Sequence, residues 1–195
     1  MRGDKQERII RVLLNEKEPL SRYKLASKAD CSKTWIIQFM KKLEKMDIVK
    51  GTKVINPTKL FDYWKSIHKK PKKFRSYMVK EPLKLLKETE LDYTLTTYQA
   101  ENIVQHHLFP SRIDFYIKEE DLENWHKLLT KNGLYGKGNV KVIVADEHVM
   151  YKKRKIDGLN IVSKPQLIID LLEESGPCFE AAEMLLKNVS KTRID

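Results

Sequence analysis

The stretch from Ser21 to Ile55 constrains this chain most. Ser21-Arg-Tyr-Lys-Leu-Ala-Ser-Lys-Ala29 places Leu25 and Ala29 four residues apart, on one face of a short helix, with Ser21 as its N-cap. Asp30-Cys31 makes a tight turn, and Ser32 caps a second run. In that run Ile36, Phe39, Met40 and Leu43 recur at the 3, 4 and 7 spacing of a buried helix face. Ile48-Val-Lys-Gly-Thr-Lys-Val-Ile55 then reads as two short strands around a Gly-Thr turn. A short helix, a turn, a longer cationic helix and a small hairpin is the pattern of a helix-turn-helix with a wing. A helix of that kind enters the major groove of duplex DNA, which is wide enough to admit it.

The second helix carries Lys33, Thr34, Trp35, Gln38, Lys41, Lys42 and Lys45 away from its apolar stripe, and the hairpin adds Lys50 and Lys53. These are the candidate DNA-contacting residues. Lysines at these places suit phosphates, and Gln38 suits a bidentate contact to adenine. Trp35 either packs on sugar or a thymine methyl group, or covers the seam between the two helices; packing is the favoured reading. A helix over 5–15, with Ile9, Ile10, Val12, Leu13 and Leu14, precedes the motif. A helix from Asn56-Pro57-Thr58 to about Ser66 follows it.

Charge is distributed in the same sense. Residues 1–80 hold 22 Lys+Arg against 8 Asp+Glu, a net of +14, whereas 81–195 hold 16 against 19, a net of −3. A basic region drives sequence-independent binding by releasing counterions from a phosphate backbone. After the motif comes Ile67-His-Lys-Lys-Pro-Lys-Lys-Phe-Arg75, where Pro71 and charge repulsion argue against a compact element. Residues 67–80 are therefore expected to be a linker or basic arm. Its Lys69, Lys70, Lys72, Lys73 and Arg75 are expected to track phosphates or reach into a minor groove.

The remainder, 81–195, reads as an α+β domain. Helices are expected over 82–88, 96–105, 119–131, 163–174 and 178–188. Strands are expected at 93–95, 113–117, 139–145, 149–151 and 159–162, the last two around an Asp157-Gly158 turn. The expected organisation is a winged helix-turn-helix domain over 1–66, the arm over 67–80 and the α+β domain over 81–195.

Three stretches of that domain carry a family likeness: Tyr93-Thr-Leu-Thr-Thr-Tyr-Gln-Ala100, Asn139-Val-Lys-Val-Ile-Val-Ala-Asp146, and Ile161-Val-Ser-Lys-Pro-Gln-Leu-Ile-Ile-Asp-Leu171 with Phe179-Glu-Ala-Ala-Glu-Met-Leu185. With the N-terminal pattern, they resemble the AbiEi-type regulators, the antitoxin side of type IV toxin–antitoxin systems, and their archaeal relatives. The resemblance implies DNA binding by the N-terminal domain and autoregulation of an operon. It leaves the C-terminal domain dimer, partner or regulatory contacts, so a homodimer and a toxin partner join double-stranded DNA as candidate partners.

Domains of that type are distantly similar to nucleotidyltransferases, which need a Gly-Ser loop after a strand and two carboxylates on the next strand to hold magnesium. Here Thr96-Thr97-Tyr98 replaces the loop, and Asp114 is followed by Phe115 and Tyr116 with no second carboxylate, so the fold is expected to be degenerate and not an enzyme. Asp114 is expected to be a surface or hydrogen-bonded residue. His106-His107 reads as a helix end carrying two partly exposed imidazoles, since neighbours do not converge on a helix. Asp170, in Leu167-Ile-Ile-Asp-Leu-Leu172, is expected to bond nearby backbone. Cys31 and Cys178 are expected to be free and buried. Neither has zinc-site spacing, and no cofactor motif occurs. No run reaches the roughly 20 apolar residues of a membrane helix, so no membrane partner is expected. The start lacks an apolar signal core, which makes the cytoplasm the expected location. The competing readings are a nucleotidyltransferase-like or nucleic-acid-processing enzyme, and a winged helix that binds protein.

Overall fold

A computed structural model describes residues 2–174 and 176–192, with side chains for 5–174 and 176–187. The chain opens with α1 (Arg2–Asn15), α2 (Arg22–Lys28) and α3 (Lys33–Lys45). A hairpin of β1 (Val49–Lys50) and β2 (Lys53–Val54) and then α4 (Pro57–Ile67) follow. Local chemistry sets these boundaries. The Ser21 hydroxyl accepts the Lys24 N–H at 3.3 Å, the Ser32 hydroxyl the Trp35 N–H at 3.3 Å, and the Asn56 side chain the Lys59 N–H at 3.0 Å. Each cap satisfies an N–H that the first helical turn leaves without a partner. Beyond the ends of α2 and α3 the chain turns through Asp30 (φ 49°) and Asp47 (φ 54°), left-handed positions that aspartate tolerates better than bulkier residues.

Strands β3 (Phe74–Val79), β4 (Thr94–Thr96), β5 (Ile113–Ile117), β6 (Gly133–Tyr135), β7 (Val140–Val144), β8 (Arg154–Ile156) and β9 (Leu159–Ile161) form one sheet in the order β6-β3-β7-β5-β4-β9-β8. It is mixed: β5/β7 and β4/β9 run parallel, and the other four pairs antiparallel. Helices α5 (Pro82–Glu88), α6 (Thr97–Gln105), α7 (Leu122–Lys131), α8 (Lys164–Leu172) and α9 (Pro177–Thr192) complete the mixed α+β fold. On one face, Trp125 of α7 packs against Phe115 with ring centroids 4.8 Å apart and edge-on to Tyr93 at 5.8 Å. The other face lies against α6 and α8.

Helix α8 decides the architecture. Its residues from Pro165 to Leu171 are all buried, as a helix apolar on nearly every side must be. α1, α4, α6 and α9 all touch it. The helical half and the sheet half therefore meet across α8 in one continuous apolar core, from Ile9 and Trp64 to Phe115 and Ile168.

Three sequence expectations change here. Within the run 67–80, Ile67 closes α4 and only 68–73 is irregular before the next strand. Phe74–Val79 is β3, flanked by β6 and β7 within the sheet, because Tyr77 and Val79 supply a buried face that the preceding charges mask in sequence. Residues 149–151 are not a strand: Glu147–Met150 is a 3₁₀ turn capped by the Asp146 side chain, and the strand opposite β9 is Arg154–Ile156. β6 has no counterpart among the expected strands. It exists because Gly133 lets the backbones close: a Cβ there would lie 2.2 Å from the Met78 carbonyl oxygen. Gly138 explains Gly136-Lys137-Gly138 in the same way, since its Cβ would lie 2.2 Å from the Tyr77 carbonyl oxygen.

Candidate nucleic-acid interface

α3 buries Ile36, Phe39, Met40 and Leu43 against α2 and the hairpin, and turns its other side to solvent. Lys33, Thr34, Gln38, Lys41 and Lys45 are exposed and Trp35 is half-buried. The Lys33 ammonium lies 4.7 Å from the centroid of the Tyr23 ring of α2, a cation–π contact that holds it at the start of α3. Lys42 differs. Its Nζ donates to the Tyr63 hydroxyl at 3.0 Å and sits 5.0 Å from that ring, and Tyr63 donates in turn to Gln6 Oε1 at 2.7 Å. Lys42 thus braces α3 against α4, a role that its helical spacing from Gln38 does not reveal.

The hairpin is anchored at its tip. The Gly51 N–H donates to Glu44 Oε1 of α3 at 2.8 Å, and the Thr52 hydroxyl donates to the Leu20 carbonyl oxygen at 2.5 Å. Gly51 takes φ 63°, open to glycine at no steric cost. Lys50 and Lys53 are direct cross-strand partners and both are exposed. Like charges facing across a strand pair are destabilising in isolation. Among the described residues, Lys33, Lys41, Lys45, Lys50 and Lys53 have no carboxylate within ion-pair distance.

The basic run after α4 is fastened to the other half of the molecule. Lys70 pairs with Glu174 at 2.5 Å, Lys73 with Glu119, and Arg75 with Glu123 at 2.8 Å. Lys69 and Lys72 remain exposed and have no ion pair among the described residues. Five clustered cations are thus divided, three held by acids of the second half and two facing solvent. The ion-pair partners lie far along the chain, so no local pattern announces them.

The chain passes from β4 directly into α6 at Thr97. Thr97 adopts φ 48°, a left-handed conformation that glycine favours and a β-branched residue resists. Its hydroxyl donates to Asp114 at 2.9 Å, and Arg112 clasps the same carboxylate at 2.5 and 2.6 Å. Asp114 is buried and hydrogen-bonded rather than a surface residue. Two strand positions on, the Tyr116 hydroxyl donates to Asp170 at 3.0 Å. Asp170 also accepts from Thr96 and, at 2.7 Å, from Gln166. Its partners are side chains from β4, β5 and α8, not nearby backbone. Burial holds its carboxyl above the usual range despite these donors.

His106 ends α6 as a left-handed cap and is exposed, while His107 approaches Glu180 at 4.0 Å. Both cysteines are free, Cys178 buried and Cys31 half-buried. Among the described residues no group of three or more His, Cys, Asp or Glu side chains is placed to hold a metal ion, and no helix is long and apolar enough to cross a membrane. Comparison with protein-family models, curated proteins and solved structures finds no match.

The junction between the halves is held by residues with no expected role in the sequence. Arg8 of α1 binds Asp146 through two nitrogens at 2.8 and 2.9 Å and reaches Asp30 at 2.7 Å. Arg11 enters the interior to meet Gln166 and His148. A signal was present: Arg11 interrupts the apolar run from Ile9 to Leu14 at a position where only a buried partner makes an arginine tolerable.

Proposed function

We propose that the chain is a DNA-binding regulator of the winged-helix type, with α3 as the recognition helix, the β1–β2 hairpin as the wing and the second half as a degenerate nucleotidyltransferase-like domain. One observation carries the reading. An exposed face carrying Lys33, Lys41 and Lys45 around Gln38 adjoins a hairpin whose Lys50 and Lys53 face each other with no ion pair among the described residues. Phosphates supply the missing counter-charge, and Gln38 sits mid-helix where a base edge is read. The resemblance to AbiEi-type regulators supports the same reading and adds a narrower one, autorepression in the cytoplasm of an operon that includes a toxin partner. As a homodimer the chain would read two half-sites about 34–36 Å apart.

The test is the salt dependence of duplex binding by the full chain, followed by fluorescence anisotropy. Log affinity should fall against log salt with a slope of about −0.9 per phosphate contacted. Lys41→Ser with Lys45→Ser should make that slope shallower. Gln38→Ala should narrow the gap between preferred and random sequences by roughly 1–3 kcal/mol. A flat salt response, or a double variant that binds as the parent does, would overturn the assignment of α3 to the groove.

A further inference from the structure

Where α1 and the segment 68–73 approach the sheet, a cleft of about 560 Å³ opens. That is within the size range of small-molecule sites. Arg11 lines it and is 3% exposed. A guanidinium withdrawn from water is costly unless an anion pairs with it. Among the described residues Arg11 meets only neutral groups directly. Nε donates to Gln166 Oε1 at 2.6 Å, Nη1 donates to His148 Nδ1 at 3.0 Å, and the Trp64 ring centroid lies 5.4 Å from the guanidinium carbon.

Three carboxylates act on Arg11 through their charge, and each is hydrogen-bonded elsewhere. Glu7 Oε2 accepts from Trp64 at 3.0 Å and lies 2.7 Å from His68 Nδ1. Asp146 serves Arg8 and the His148 N–H, and Asp170 serves Thr96, Tyr116 and Gln166. At the rim Lys73 is neutralised by Glu119, but Lys69 and Lys72 point to solvent without an ion pair among the described residues. Val144, Ala145 and Val149 give the cleft an apolar wall.

We propose that this cleft binds a small molecule bearing an oxyanion. Its carboxylate or phosphate sits at Arg11 under Lys69 and Lys72, and its apolar body lies against Val144 and Val149. Among the described residues Arg11 touches no carboxylate directly, Lys69 and Lys72 line the same opening, and the wall between them is apolar. This combination selects an anion with a hydrocarbon part over a bare ion or a neutral solute. The site draws on α1, the 68–73 segment, the sheet and α8, not on α3, so it stands independently of DNA binding.

The test uses the full chain without DNA, at constant ionic strength set with chloride. Phenyl phosphate, benzoate and neutral benzamide are titrated and followed by NMR at the Arg11 Nε–H, the His68 ring and the Val144 methyl groups. Saturable shifts are expected with one or both anions and none with benzamide. Lys69→Ser with Lys72→Ser, both surface changes, should weaken binding about fivefold, as two partly exposed charge contacts imply. Arg11→Gln should abolish it, with circular dichroism checking the fold. If the Arg11 variant fails to fold, the lysine variant still decides. Absence of saturation by either anion in the millimolar range, equal binding of benzamide, or an unchanged affinity in the lysine variant would each overturn the proposal.

Discussion

His148 shows how single residues hold the two halves in register. Arg11 donates to Nδ1, so that nitrogen carries a lone pair, and Nε2 therefore bears the proton that it donates to the Lys28 carbonyl oxygen at 2.9 Å. Burial first, then the Arg11 charge, pushes the imidazole pKa down to about 4. The fold thus prefers neutral His148. Its contribution is complete above the ordinary value of 6.5 and is lost as pH falls through the window from 6.5 to about 4. At about 1.4 kcal/mol per pH unit, discounted for partial exposure, that loss is on the order of 2–3 kcal/mol. His68 works in the opposite sense. Burial lowers its pKa, but the bond and charge of Glu7 outweigh burial and leave it raised. Its contribution is present below 6.5 and fades as pH rises through the raised value. Urea midpoints measured against pH should fall on the acid side, and His148→Gln should flatten that limb. Asp170 permits a second test. Asp170→Ala strands the Thr96, Tyr116 and Gln166 donors in the core and should cost about 3–5 kcal/mol, read as a drop in the urea midpoint.

Among the elements, the hairpin sets stability against binding. Lys50→Glu replaces a facing pair of like charges with an opposite pair on an exposed ladder. It should raise the stability of the free protein by roughly 0.2–1 kcal/mol while weakening duplex binding. Thermal unfolding and anisotropy on one sample read both. A variant that loses stability and keeps its affinity would count against the hairpin as a wing. Elements with a clean periodicity were legible: the α3 stripe, β5 and β7 all lie where their spacing placed them. β3 was hidden behind four lysines, and β6 is three residues long and owes its place to a glycine close approach. Neither produces a period that a sequence window can register.

For the molecule as a whole, α8 makes the halves interdependent. Trp64 is fully buried in the helical half and Trp125 in the sheet half. Variants keeping only one of these tryptophans should show coincident fluorescence transitions in urea, because the core between them is continuous. Two separated midpoints would show that α1–α4 unfold as an autonomous unit. On the candidate interface, the α3 and hairpin positions follow from chain-local spacing. The arm's cations were divided by acids from distant elements, and Lys42 was taken by Tyr63.

The sequence by itself determined the periodic features: the capped helices, the apolar stripe opposite a cationic face, the strands β5 and β7, and the charge split. Each of these depends on neighbours within about one helical turn or one strand, and such interactions are written in order along the chain. Only the tertiary structure decided which cations are free and which are paired. It also decided that Arg11 and His148 interlock across 137 residues of separation and that a cleft forms beside them. Those outcomes depend on burial and on partners brought together by α8, and buried electrostatics has no signature in local spacing.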